Sequence, residues 1–472
     1  MSRPERTFRW ATNGTRMMAG TVVATVAVVG VVTGVSIPWP TVSRDPVAVS
    51  AVPAPAATVL ACTGGLMVIG RDVEDAQVPI SATRQVVTMG TEAGAPEPVE
   101  TRLVSPAEDA DEGAAVFTAP PTGRQRVDLA ASGSSTITAD DISGYSASAC
   151  RPPLLESWLV GGSASTGAAD LVLISNPGQV AATVQLTVYS ADGGLVPPGG
   201  GDVIVRAGEQ LAVPLAGLVL GEESPVVRVS AVGAPVQASL QTSATQVLTP
   251  IGADQVGPAV GPETRQVITG ITVLRSPREG SAGAATRVRV LAPDADTTAT
   301  IVVRSVGRGG TQPDPITVPL SAGVPTEVSV GDLSAGTYTV EVSGEDPVVA
   351  GVWHTTGFEK GDDFAWYAPA PLIERAALFA VPVGPSATLS LVNPTDEVQT
   401  VALSIESGAF STELTVAAGG TTTARLSPRT VYRLQPSGEG VRASVSLAAD
   451  GALSGFPVWP VDAAAPPITV YP

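Results

Sequence analysis

The sequence predicts an all-β chain of tandem β-sandwich modules, immunoglobulin-like in kind, behind a single N-terminal transmembrane helix. Three observations carry that expectation. Apolar residues alternate with polar ones in short runs, the period of a strand that buries one face. Turn-forming Gly and Pro, 50 and 42 of the 472 residues, punctuate those runs, at the spacing of about 8–12 residues that marks a sandwich. One long uncharged segment lies near the N-terminus.

That segment comes first. Residues 1–16 carry Arg3, Arg6, Arg9 and Arg16 against Glu5, and residues 17–37 hold no charge at all. Helix rises ~1.5 Å per residue, so a run of this length spans a hydrocarbon core of ~30 Å. Basic residues before it and an acidic bulk after it place 1–16 in the cytoplasm, 17–37 in the membrane as a signal anchor, and the rest outside. A cleaved signal peptide is the competing reading. Pro38-Trp39-Pro40 follows the apolar run directly and a small-residue site occurs only around Ala48 to Ala54, which favours the uncleaved anchor. Residues 38–55 then form a Pro/Ala-rich spacer.

Residues 56–152 read as an irregular β-rich module. It contains Cys62 and Cys150, the only cysteines, and two cysteines in an exported chain most simply pair with each other.

The remainder repeats. Residues 171–189, LVLISNPGQVAATVQLTVY, and 388–406, TLSLVNPTDEVQTVALSIE, place strand, Asn-Pro and strand in the same order, with Asn176-Pro177 and Asn393-Pro394 separated by 217 residues. Asn-Pro initiates a turn because Pro fixes its own φ and drives the preceding residue out of the helical region, so each copy is expected to be a hairpin. A looser copy at 287–305 has Ala292-Pro293 at the turn. Further on, 227–240, 338–353 and 441–459 each give a strand, a Gly- or Pro-bearing turn and a final strand. Strands expected between these signatures are 202–206, 210–215, 316–320 and 327–330. The modules are therefore 153–262, 263–371 and 372–472. A period near 105–110 residues is too long for a solenoid unit and means tandem domains.

Composition removes much chemistry. His354 and Lys360 are the only residues of their types, and with two cysteines they exclude zinc fingers, iron–sulfur clusters and CxxC redox pairs. A net charge of −18 argues against nucleic acid, whose phosphates require a basic face. No metal and no cofactor is expected. Paired carboxylates remain: Asp140-Asp141, Asp294 with Asp296, Asp362-Asp363, and the cluster Glu108, Asp109, Asp111 and Glu112 could serve glycoside hydrolysis or calcium. Asp294-Ala-Asp296 lacks the Gly and distal Glu of a calcium loop, and 108–112 reads as a solvated loop. The segment 353–367, WHTTGFEKGDDFAWY, mixes Trp353, His354, Asp362, Asp363 and Trp366 and reads as an inter-module linker with a packed His. Without a G-x-S-x-G elbow it offers no serine triad. Trp158, Trp353, Trp366 and Trp459 fall at module edges, where they pack domain on domain or present ring faces to a sugar.

Cys150, the run Trp158-Leu-Val-Gly-Gly-Ser, and Leu171-x-Leu-x-Ser-Asn176-Pro177, with Arg far exceeding Lys, resemble a family of uncharacterised actinobacterial envelope proteins. That resemblance implies one membrane helix and a β-rich exterior, with no activity to carry over. The functional expectation is a non-catalytic, membrane-anchored extracytoplasmic protein, a scaffold or a binder of wall polymer or envelope partners. The alternative is a carboxylate-dependent enzyme acting on cell-wall glycan.

Overall fold

The computed structural model describes residues 5–36, 49–51, 56–71, 78–107, 113–123, 125–275, 285–307, 312–460 and 468–470. They fall into two compact units, one of the residues up to Pro53 with those from Pro467, and one of Ala54–Pro466. The first holds the helix Glu5–Ser36 and an antiparallel pair, Val49–Ala51 with Ile468–Val470. Within the helix, Arg16–Gly34 has a mean hydropathy of 2.0 and is long and apolar enough to cross a membrane. Its polar hydroxyls are spent internally, Thr21 and Thr25 each donating to the carbonyl four residues earlier. The spacer at 38–55 and the acidic cluster at 108–112 lie outside the described residues, apart from Val49–Ala51.

All the rest is β, apart from the four-residue helix Leu215–Leu218. Residues 58–149 make two three-stranded sheets, Thr58–Ala61 with Ala115–Ala119 and Val99–Arg102, and Val86–Thr91 with Leu129–Thr138 and Ser143–Ala149, and a short pair of Met67–Val68 with Ile80–Ser81. Leu60, Phe117, Val127 and Leu129 fill the space between them, together with a disulfide joining Cys62 to Cys150.

Three sandwiches of one topology follow. In the first, β1 (Glu156–Val160), β6 (Val226–Val232), β3 (Ala182–Ser190) and β4 (Val203–Val205) form one sheet, and β5 (Gln210–Pro214), β2 (Leu171–Ser175), β7 (Gln237–Gln246) and β8 (Thr249–Val256) form the other. Alternation decides the faces. Val184, Leu186 and Val188 of β3 are sealed in the core while Thr183 and Gln185 face water, and each such buried aliphatic contributes about 1.5–3 kcal/mol.

The second sandwich uses β9 (Glu263–Val273), β10 (Ala285–Leu291), β11 (Thr297–Ser305), β12 (Ile316–Leu320), β13 (Thr326–Ser329), β14 (Gly336–Thr355) and β15 (Phe364–Tyr367). The third uses β16 (Ala377–Val381), β17 (Ser386–Val392), β18 (Gln399–Ile405), β19 (Ser411–Val416), β20 (Thr421–Leu426), β21 (Thr430–Pro436), β22 (Val441–Ala449) and β23 (Ala452–Pro457). Its sheets run β16-β21-β18-β19 and β20-β17-β22-β23, the order of the eight strands of the first sandwich, and the two differ in one short added strand each, Gly193–Leu195 on β3 and Leu372–Ile373 on β22.

Two expectations are corrected here. The Asn-Pro signatures are not hairpins: β2 and β3 belong to opposite sheets, as do β17 and β18 and the looser copy's β10 and β11. Each Asn-Pro is an arch across the sandwich, and the Asn is buried beneath it. Asn176 donates to Val180 O and Val205 O and accepts from Gly178 N, and Asn393 donates to Glu397, Val416 and Ala417 carbonyls and accepts from Thr395 N. The side chain thus satisfies carbonyls that the crossing strands leave unpaired.

The expected turn within 338–353 is also absent. β14 runs unbroken for 20 residues, pairing first with β9 and β11 and then with β10 and β15. It does in one strand what β6 and β7, or β21 and β22, do in two. Pro347 falls in a gap of the ladder, beside the register shift between Glu263 and Arg265, so its missing N–H breaks no bond.

Candidate functional site

The segment expected to be a linker is the β14–β15 hairpin, with Trp353 paired opposite Trp366 and His354 opposite Ala365. Strand alternation sends β15 into two cores at once. Phe364 and Trp366 enter the first sandwich, and Ala365 and Tyr367 the second.

A cleft of about 250 Å³ opens between these two sandwiches. Trp353, Phe364 and Trp366 line it on one side, and Ser163, Asp170, Ser243, Arg287, Arg289 and Glu327 bring polar groups to it. Arg287 and Arg289 reach it because β10 alternates Arg with Val, and Glu327 of β13 stands directly opposite Arg289. The Arg289 guanidinium is 2% exposed, bonded to Glu327 and to the carbonyls of Gly162, Pro225 and Glu223 in the first sandwich, and stacked 4.7 Å from the Trp366 ring. Every arm of that group is engaged, so it fastens one sandwich to the next. Arg287 is different. It is half exposed, holds Glu327 through Nη1 at 3.0 Å, and lies 5.6 Å from the centre of the half-buried Trp353 ring.

Two of the acids lining the cleft, Glu327 and Asp170, are pushed apart electrostatically. Burial raises Glu327, but Arg289 and Arg287 outweigh it and hold the group below its ordinary range. Burial pushes Asp170 up to about 7, against backbone N–H bonds from Ser243 at 2.9 Å and Ser163 at 2.7 Å.

The other residues nominated from sequence are dispersed. Trp158 is buried against Tyr189, with Leu291 and Val349 of the second sandwich in the same cluster, and its indole N–H donates to Glu156. His354 is buried, its Nδ1 2.9 Å from Thr286 Oγ1, and burial lowers it to about 4, so it is neutral. Asp362 accepts from Thr356 Oγ1 and Glu359 N within its own loop. Asp363, its neighbour, is fully buried and accepts backbone N–H bonds from Tyr145, Ala253 and Leu453, at 3.1, 3.3 and 2.9 Å. Those donors belong to the disulfide region, the first sandwich and the third, so one carboxyl immediately before β15 joins four modules. Trp459 lies elsewhere, with Arg151 4.6 Å from its ring centre. Of the remaining acids, Asp141 is bound by Arg71 at 2.7 Å on the surface and Asp296 accepts from Ala322 N.

Sequence reasoning passed over Arg287, Arg289, Glu327 and Asp170. The Arg-Val-Arg-Val alternation at 287–290 was a usable signal, since it sets two guanidinium groups on one face of a strand. No curated protein matches the chain. Residues 103–429, more than two thirds of it, match a family of unknown function (DUF5719), and the chain belongs to that family.

Proposed function

We propose that the chain is a non-catalytic, membrane-anchored protein of the cell envelope, its sandwiches outside the membrane, that binds wall polymer through the cleft between the first two of them. The cleft carries the reading. It combines a wall of Trp353, Phe364 and Trp366 with hydrogen-bonding groups in Ser163, Ser243 and the half-exposed Arg287, the mixture of apolar faces and a few fixed polar groups that suits a sugar chain. The apolar helix and the basic residues before it support the anchor, and the Cys62–Cys150 disulfide suits an oxidising compartment. The strong preference for Arg over Lys extends the proposal to an actinobacterial envelope. Full chain in detergent micelles should co-sediment with purified wall polymer, and Trp353→Ala should weaken that about tenfold. Equal sedimentation of wild type and variant, or none by either, rejects the cleft as a wall-binding site. Capture of an envelope protein in its place would redirect the reading to a scaffold.

One observation favours a second reading, a carboxylate-dependent glycan-acting enzyme. Asp170 and Glu327 line one aromatic cleft with their affinities for a proton displaced in opposite directions, the relation that separates a general acid from its carboxylate partner. Both oxygens of Asp170 are already held by backbone N–H groups, which supports an architectural role. Release of reducing ends from wall polymer by wild type, abolished by Asp170→Asn and by Glu327→Gln, would establish the enzyme.

A further inference from the structure

A second cavity, of about 60 Å³, lies between the disulfide region and the third sandwich. Its walls are mostly carbon, from Leu129, Leu378, Phe379 and Phe456, yet Arg126, Arg151 and Trp459 also line it. Arg151 follows Cys150 and is 5% exposed. It donates through Nη2 to Pro457 O and stacks on the Trp459 ring, and among the described residues no carboxylate pairs with it. Arg126 also lines the cavity, and among the described residues neither its buried Nε nor the buried Nε1–H of Trp459 finds an acceptor.

This arrangement is unlike that of Arg289, whose charge is answered by Glu327 and three carbonyls. A buried guanidinium without an anion is destabilising, and each orphaned buried donor adds to that cost. We propose that this cavity is a binding site for a small carboxylate, the anion lying between the Arg151 and Arg126 forks and accepting the Trp459 N–H, its carbon body against the apolar wall. The carboxylate geometry matches a planar fork, and the carbon lining disfavours the more strongly hydrated phosphate. This site is separate from the cleft and does not depend on what the cleft binds.

The test is calorimetric titration of the full chain in detergent, at constant ionic strength, with sodium acetate, inorganic phosphate and sodium chloride, followed by Trp emission compared between wild type and Trp459→Phe. Acetate should bind saturably, chloride and phosphate should not, and the emission change should vanish in Trp459→Phe. Arg126→Gln, a half-buried position that tolerates exchange better than Arg151, should weaken acetate about tenfold or more while keeping the wild-type unfolding temperature in chloride. Equal responses to acetate and chloride, preference for phosphate, or wild-type affinity in a folded Arg126→Gln protein each overturns the assignment. Glucuronate and N-acetylalanine then distinguish a sugar-borne carboxylate from a peptide carboxyl terminus. Tighter binding of either one than of acetate supports the site and names its source, and equal affinities assign the carboxyl group alone.

Discussion

Asp254 Oδ1 lies 2.8 Å from Ser454 Oγ, and both side chains are fully buried. Ser454 has one proton, and its Oγ also sits 3.0 Å from Ala147 O, an atom that only accepts. If the serine proton serves Ala147, the proton between Ser454 and Asp254 must belong to the Asp254 carboxyl group. Its other oxygen accepts Trp366 N–H at 2.8 Å. Burial acts in the same direction, pushing Asp254 up to about 7, and burial followed by the charge of Asp254 raises Asp363 well above its ordinary value. A protonated Asp254 keeps both Ser454 contacts, whereas an ionised one takes the serine proton away from Ala147 O.

Stability should therefore fall as pH rises from about 4 to about 7. Between the unfolded carboxyl value near 3.8 and the folded values of about 7, Asp254 and Asp170 hold protons that the unfolded chain has lost, and Asp363 acts in the same sense. Asp254 and Asp170 each contribute up to about 4 kcal/mol, present below the unfolded value and lost through the folded one. His354 opposes them, since its lowered value makes stability rise from about pH 4 to 6.5, but it is one group against three. The thermal midpoint should be higher at pH 5 than at pH 7.5. Asp254→Asn keeps the Trp366 acceptor and supplies an N–H to Ser454, so it should raise the midpoint at pH 7.5 and flatten the dependence. An unchanged slope in that variant would show Asp254 ionised.

Asp363→Ala should uncouple the modules. It strands the N–H groups of Tyr145, Ala253 and Leu453, at about 1–3 kcal/mol each. Two glycines make room for the carboxylate: Gly144 and Gly252 have φ of 153° and 145°, and a Cβ on either would come 2.8 Å from Asp363 Oδ1. Gly252→Ala should thus reproduce much of the Asp363→Ala loss without touching the acid. Hydrogen exchange should rise in the strands around Tyr145, Ala253 and Leu453 together, and a rise confined to one of them would contradict the shared role.

Most of the architecture was legible because strand period and turn residues are local. Val184, Leu186 and Val188 announce a buried face without any partner being known. Pairing is not local, which is why Asn176-Pro177 and Asn393-Pro394 read as hairpins when they are arches, and why Gly344 and Pro347 read as a turn inside a continuous strand. The candidate site was half legible. Trp353 and Trp366 were found as scarce aromatic residues at module edges, whereas Asp170, Arg289 and Glu327 gain meaning only when β10 and β13 face the first sandwich.

The arches make a paired prediction. Asn176→Ala and Asn393→Ala each remove a side chain that donates to at least two backbone carbonyls, one of them buried, and accepts a backbone N–H. Each should cost on the order of 2–4 kcal/mol in denaturant unfolding. Asp should rescue neither, because it supplies the acceptor for Gly178 or Thr395 but no donor to the carbonyls. The looser copy has Ala292 at this place, so Ala292→Asn should bring no comparable gain.

The disulfide should stabilise chiefly through the unfolded chain. Its 88-residue separation corresponds to about 4–5 kcal/mol in the loop-entropy model. Replacing both Cys62 and Cys150 by Ser should lower the denaturant midpoint accordingly. A change below about 1 kcal/mol would mean that residual structure already restrains the unfolded chain without the disulfide.

The two arginines of the cleft should separate architecture from binding. Arg289 is enclosed, so Arg289→Gln leaves Glu327 and the Gly162, Pro225 and Glu223 carbonyls without their partner and should cost about 3–5 kcal/mol, the penalty for breaking a buried ion pair. Arg287 is half exposed, and its pair with Glu327 at the cleft mouth is worth about 0–1 kcal/mol. Arg287→Gln should accordingly leave the unfolding transition in place while weakening sedimentation with wall polymer. If Arg287→Gln binds as wild type does and only Arg289→Gln loses binding in step with its stability, the cleft is a joint between sandwiches and its aromatic wall is packing.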